Sequence, residues 1–165
     1  MRLLDFLFPP RVDEIILRGV SEDEFLAHLT PRVVGETRPA TVALLPFHEP
    51  VVRSAIHEAK YRGSEQALRY LAAALADYLR GADDIKRAVI VPIPLGEARR
   101  RERGFNQAEE IAKRAGKDLG IKVDAELLVR TRETASQVSL PRAAREENMR
   151  GAFGATRSAA PALTY

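Results

Sequence analysis

Arg99, Arg100, Arg101 and Arg103 fall within five positions of the chain. Four like charges that close repel one another, so the run either stays solvated or meets an anion. Gly104 follows directly and permits a turn or a close backbone approach. Asn106 then has the side chain of an N-cap, with Glu109 at the position of its capping-box partner. A helix start carries free N–H groups and the positive end of the dipole, so it favours negative charge beside it. The pattern points to recognition of an anion.

These residues need elements to hold them. Residues 88–91 form a short apolar run fit for a buried strand. Pro92 and Pro94 end it, since neither donates to a ladder. Beyond Asn106, the apolar residues Ala108, Ile111, Ala112, Ala115 and Leu119 recur on one helical stripe. Strand, basic loop and capped helix in succession are how α/β proteins place an anion site at the carboxyl end of a strand.

Two further basic groups stand apart in sequence. Lys60 and Arg62 flank Tyr61 just before Gly63, which fits either pairing with a helix dipole or an anion contact. Arg130, Arg132, Arg142, Arg145 and Arg150 form the third group. If the three meet above one sheet edge, they suit a polyphosphate or a nucleic-acid backbone.

Other chemistries find little footing. The chain has no Cys, which excludes disulfides, thiolate chemistry and Cys-ligated zinc. His28, His48 and His57 lack metal-ligand spacing and an acidic cluster. No G-x-S-x-G elbow surrounds Ser136 or Ser139, and neither a Walker A motif nor G-x-G-x-x-G is present. The length of 165 residues suits one domain with a small appendage, and hydrophobic content of 45% is that of a globular protein. No apolar run is long enough to span a bilayer, and the opening MRLLDFLFPP is a poor signal peptide, so a cytoplasmic protein is expected. A net charge of +3 is compatible with nucleic acid or phosphorylated ligands without choosing between them. An aromatic share of 6% with no Trp argues against a stacking platform for single strands.

In chain order, residues 12–17 read as a short strand, and Ser21 with Glu24 as a capping box opening a short helix. Residues 33–39 read as a linker, and residues 1–40 together as a weakly cored appendage. The main body starts with a strand from Thr41. A helix follows from Pro50 to about Lys60, and a second, capped by Ser64, runs to Gly81. Residues 121–123 and 127–129 read as strand, residues 131–140 as a polar mobile loop, and Pro141 opens a short charged helix before a strand at Ala152 and Phe153. The alternation predicts parallel pairing of residues 42–45, 88–91 and 122–129, with the long helices packed on that sheet.

The strings V-P-I-P-L and R-R-R-E-R-G-F-N-Q-A closely resemble the ComF family. So does the later spacing of Thr134, Gln137, Leu140, Arg145, Asn148, Ala152 and Phe153. The Lys60–Gly63 string also looks like the family, and the likeness covers about residues 41–155. ComF proteins are phosphoribosyltransferase-like and associated with DNA uptake in competent bacteria. The resemblance implies an α/β fold: a type I phosphoribosyltransferase-like parallel sheet flanked by helices, here incomplete at the C-terminus. It assigns Arg99, Arg100, Arg101, Arg103, Gly104, Asn106 and Gln107 to phosphate binding. Gln137, Arg142, Arg145 and Asn148 go to a flexible loop that closes over the ligand. The implied ligand is phosphoribosyl pyrophosphate with Mg²⁺. The family's cysteine zinc ribbon has no counterpart, so residues 1–40 replace it without zinc, and residues 41–165 are read as a partial phosphoribosyltransferase-like domain. The family's acidic, Thr-Gly-rich ribose loop is not matched either, and the chain reads as cut short before it. The resemblance thus implies phosphoribose transfer in intact relatives and little activity in this chain. The alternative is a non-catalytic competence factor that holds nucleic-acid phosphates on its arginines. Other competence proteins are its possible partners, and no membrane insertion is expected.

Overall fold

The computed structural model describes residues 11–35, 37, 40–135 and 140–156, without the side chains of residues 142 and 143. Seven helices are described: α1 Val12–Arg18, α2 Glu22–Leu26, α3 Pro50–Arg62, α4 Glu65–Arg80, α5 Glu97–Arg103, α6 Gln107–Leu119 and α7 Arg142–Met149. Six short strands accompany them: β1 Arg32–Val34, β2 Thr41–Ala43, β3 Val89–Ile90, β4 Lys122–Val123, β5 Leu128–Arg130 and β6 Phe153–Ala155. The fold is mixed α/β with three two-stranded sheets, β1–β2, β3–β4 and β5–β6.

Only the middle pair is parallel. Val89 pairs with Lys122 and Ile90 with Val123, with α5 and α6 forming the crossover. The expected strand at residues 42–45 does not join this sheet. Thr41–Ala43 instead runs antiparallel to Arg32–Val34, which overlaps the start of the stretch read as linker. β5 likewise pairs antiparallel, with β6. The expected parallel match of residues 88–91 with 122–123 is present, whereas residues 41–43 and 128–130 find other partners, because pairing depends on long-range packing rather than on the apolar run itself.

Residues 12–17 are helical rather than extended. Asp13 and Glu14 occupy the first turn of α1 and Arg18 the last, complementing the dipole. Glu14 and Arg18 close an i,i+4 ion pair at 2.6 Å. These terms outweigh the strand preference of Ile15 and Ile16. The segment read as weakly cored also supplies Leu17 and Phe25, both fully buried with Val52, Ala55 and Ala59 of α3 and Leu68 and Tyr70 of α4. Tyr70 lies 5.3 Å from the Phe25 ring and donates to the Val20 carbonyl at 2.7 Å. Gln66 donates to the Leu17 carbonyl, also at 2.7 Å. On the far side of α1, Arg11 grips the buried Glu58 with contacts of 2.9–3.2 Å.

A second cluster joins α4, α6 and β3. Ala72, Ala76 and Ala115 are buried there beneath Leu75, Ile90, Ile111 and Leu119. Small side chains let α4 and α6 lie close. Gly116 does the same on the strand side: a Cβ there would collide with Val123 and sit 3.0 Å from the Ile121 carbonyl. β3 is thereby fixed, and with it the segment leading to the arginine run.

Candidate anion-binding surface

The arginine run is a helix, not a loop. Gly96 precedes α5 and Gly104 ends it in the left-handed region at φ 77°. Arg is a good helix former, and Glu97 in the first turn with Arg100, Arg101 and Arg103 in the last suits the dipole. The helical phase of about 100° per residue then sends Arg99, Arg100 and Arg101 in different directions, while Arg103 returns to the Arg99 side of the helix. Arg99 donates to the Ala135 carbonyl at 3.2 Å. Arg100 reaches Glu109 at 3.7 Å. Arg101 is exposed and has no acidic partner among the described residues.

Arg103 turns back onto α3. Its guanidinium lies 5.3 Å from the centre of the Tyr61 ring, and it donates to the Gln107 side chain at 3.3 Å. Its Nε is buried with no hydrogen-bond partner, so the ring is what it rests on. Lys60 Nζ lies 4.9 Å from the centre of the same ring. A ring face attracts cations through its quadrupole while leaving their N–H groups free to donate outward. Tyr61 thus gathers cations from two helices at one exposed place. The junction is locked by Gly63, which ends α3 in the left-handed region at φ 59°. Without a Cβ it admits the Phe105 ring, whose nearest atom would lie 3.2 Å from one. Two of the three basic groups therefore meet, through contacts that basic residues alone do not signal. The sequence clue was Tyr61 between Lys60 and Arg62.

Asn106 is the N-cap of α6, with its side-chain oxygen accepting from Ala108 N–H at 3.1 Å. The expected capping box is not formed. Glu109 pairs instead with Lys113 at 2.6 Å and with Arg100, and the Lys113 pairing raises the Lys113 pKa above its ordinary value. The Asn106 amide nitrogen instead donates to the Ile93 carbonyl at 3.0 Å. Asn106 is buried, so it fastens the β3 exit to α6 rather than facing a ligand.

The third basic group is spent internally. Arg132 donates to the carbonyls of Asn148 and Arg150 at 3.1 and 2.6 Å, closing the end of α7. Arg130 lies over the Phe153 ring at 5.3 Å and bonds to Thr134. Arg145 donates to the Leu140 carbonyl at 3.0 Å. Asn148 grips Ala135 twice, accepting from its N–H and donating to its carbonyl, each at 3.1 Å. Arg99 shares that carbonyl, so the residues of the expected loop site and of α5 do meet, but at a backbone group. Gln137 and the Arg142 side chain lie outside the described residues.

Among the described residues, no group of three His, Asp or Glu side chains is placed to hold a metal ion, and no helix is long and apolar enough to cross a membrane. No protein-family model, curated protein or solved structure matches the chain.

Proposed function

We propose that the chain is a ComF-like, phosphoribosyltransferase-related protein whose surface at the α3–α5 junction binds phosphate-bearing ligands without turning them over. The observation that carries the reading is the meeting of Lys60 and Arg103 on Tyr61, with Arg62 and Arg101 also lacking an acidic partner among the described residues. Unpaired cations held close together are stabilised when an anion neutralises them. Binding without turnover is favoured by how the other expected site residues are used: Asn106, Arg145 and Asn148 all hold backbone groups. A loop committed to such contacts does not also align a ribose, and misplacement by about 1 Å can cost about a hundredfold in rate. Mg²⁺ would arrive on the ligand's diphosphate oxygens.

Calorimetric titration with phosphoribosyl pyrophosphate and Mg²⁺, at low and high salt, tests this. Binding that weakens with salt, without release of pyrophosphate, is expected. Steady release of pyrophosphate would overturn binding without turnover. No binding at low salt would overturn the anion reading itself.

A further inference from the structure

The parallel pair β3–β4 is covered by helices on one face. Ile90 enters the cluster between α4 and α6, and Val123 lies against Gly116 of α6. Side chains alternate along a strand, so Val89 and its register partner Lys122 stand on the opposite face. There Lys122 meets Asp124 at 3.2 Å, and Val89 is 45% exposed, although parallel strands ordinarily have both faces covered. The outer edge of β3 is open as well. Asp124 N–H donates to the Ile90 carbonyl at 2.9 Å, which sets the phase of the ladder. The backbone groups of Ala88 and Ile90 turn towards β4, and those of Val89 and Val91 turn away from it. On that side, Val89 and Val91 have no backbone hydrogen-bond partner among the described residues.

We propose that two copies of the chain associate through this edge, β3 pairing antiparallel with β3 of the second copy about a two-fold axis at Ile90. A two-fold contact must be self-complementary, and Val89, Ile90 and Val91 read the same in both directions. Val89 of each copy then exchanges its backbone bonds with Val91 of the other, and Ile90 stands opposite Ile90. The valines of the two copies become cross-strand neighbours on the uncovered face, where branched apolar pairs stabilise a sheet. Pro92 does not interrupt the contact, because its missing N–H falls on the β4 side with the groups of Ile90. Charge does not oppose it either. Residues 88–91 carry none of the charged side chains by which sheet edges ordinarily repel one another. Arg87, the nearest cation, and its copy stand six positions apart along the pair, so about 20 Å separates them, beyond the Debye length of about 8 Å. The contact is separate from the α3–α5 surface and does not rest on the phosphate reading.

Sedimentation equilibrium of the full chain from about 1 μM to about 1 mM reads the association, since contacts of small area are weak. A monomer–dimer equilibrium is expected. Amide hydrogen exchange at the two ends of that range locates the contact. Val89 and Val91 N–H should exchange at least about tenfold more slowly in the concentrated sample, while Ile90 N–H, bonded to β4, is protected in both. Val89→Pro removes an N–H that β4 does not use, so it should weaken the dimer at least about tenfold while the thermal melt stays cooperative. Val89→Thr keeps the branched shape and should associate as the wild type does. A monomer throughout would overturn the proposal. So would a dimer whose Val89 and Val91 amides exchange equally at both concentrations, or a folded Val89→Pro protein that dimerises like the wild type. If Val89→Pro does not fold, hydrogen exchange in the wild type decides alone.

Discussion

Two charged faces of this molecule are built from similar residues and end in opposite states. On the α4–α6 face Arg69, Arg80 and Arg114 each have an acid. Arg69 meets Glu22 at 3.0 Å, Arg114 meets Glu65 and Glu110 at 2.9 and 2.7 Å, and Arg80 bridges to Asp118. The Arg114 pKa is pushed above its ordinary value by the hydrogen bonds it donates to Glu110 and then to Glu65. A groove of about 810 Å³ runs between these pairs over Leu26, Ala72 and Ala73. On the α3–α5 face, Lys60 and Arg103 share a ring instead of an acid, and Arg53, Arg62 and Arg101 have none among the described residues. The contrast teaches that neither a cavity nor a count of arginines marks an anion site. On the proposed reading, what marks it is cation charge that the fold concentrates and leaves without an acid among the described residues. The groove is the larger concavity, but its charges are already satisfied.

The comparison can be broken at several depths. The largest effect is expected beneath the paired face. Phe25 is fully buried against Tyr70, so Phe25→Ala should cost about 3–5 kcal/mol in chemical denaturation. A cost below about 1 kcal/mol would mean that α2 is not part of the core. Next comes the support of the unpaired face. Asn106→Ala removes a cap and leaves the Ile93 carbonyl without its donor, for about 1–2 kcal/mol. The smallest effects separate the faces directly. Arg114→Ala should destabilise by about 0.5 kcal/mol, less at high salt, because exposed pairs are weak and screened. Lys60→Ala should leave stability unchanged or slightly raised, since it removes a cation without an acid partner. Thermal melts at two salt concentrations read both, and equal losses would erase the distinction.

Much of the fold was legible. Ser21, Ser64 and Asn106 each announce a helix start, and each is a cap in the structure. Gly63 and Gly120 mark helix ends as expected. What misled was the weighing of local signals against one another. Three branched apolar residues in α1 suggested a strand, although Asp13, Glu14 and Arg18 already spelled a helix. Clustered arginines suggested a loop, although Arg is a helix former. Strand pairing was legible only in part: the parallel match of residues 88–91 with the strand at 122–123 was read, but Thr41–Ala43 pairs instead with Arg32–Val34, a partner hidden in a stretch without alternation. For the site, the residue types were visible and their destinations were not. Arg99 and Arg103 are neighbours on one turn of α5, yet one binds a backbone carbonyl and the other an aromatic ring. Only tertiary packing decides that.

The central claim is that unneutralised cations on the α3–α5 face, not the charged groove on the α4–α6 face, hold phosphate. Calorimetric titration of pyrophosphate at low salt into three proteins tests it most directly: the wild type, Lys60→Ala/Arg103→Ala, and Arg69→Ala/Arg114→Ala. The account predicts that the first double variant loses at least about tenfold in affinity, while the second binds as the wild type does. Loss of binding in the groove variant, with the α3–α5 variant unaffected, would contradict it.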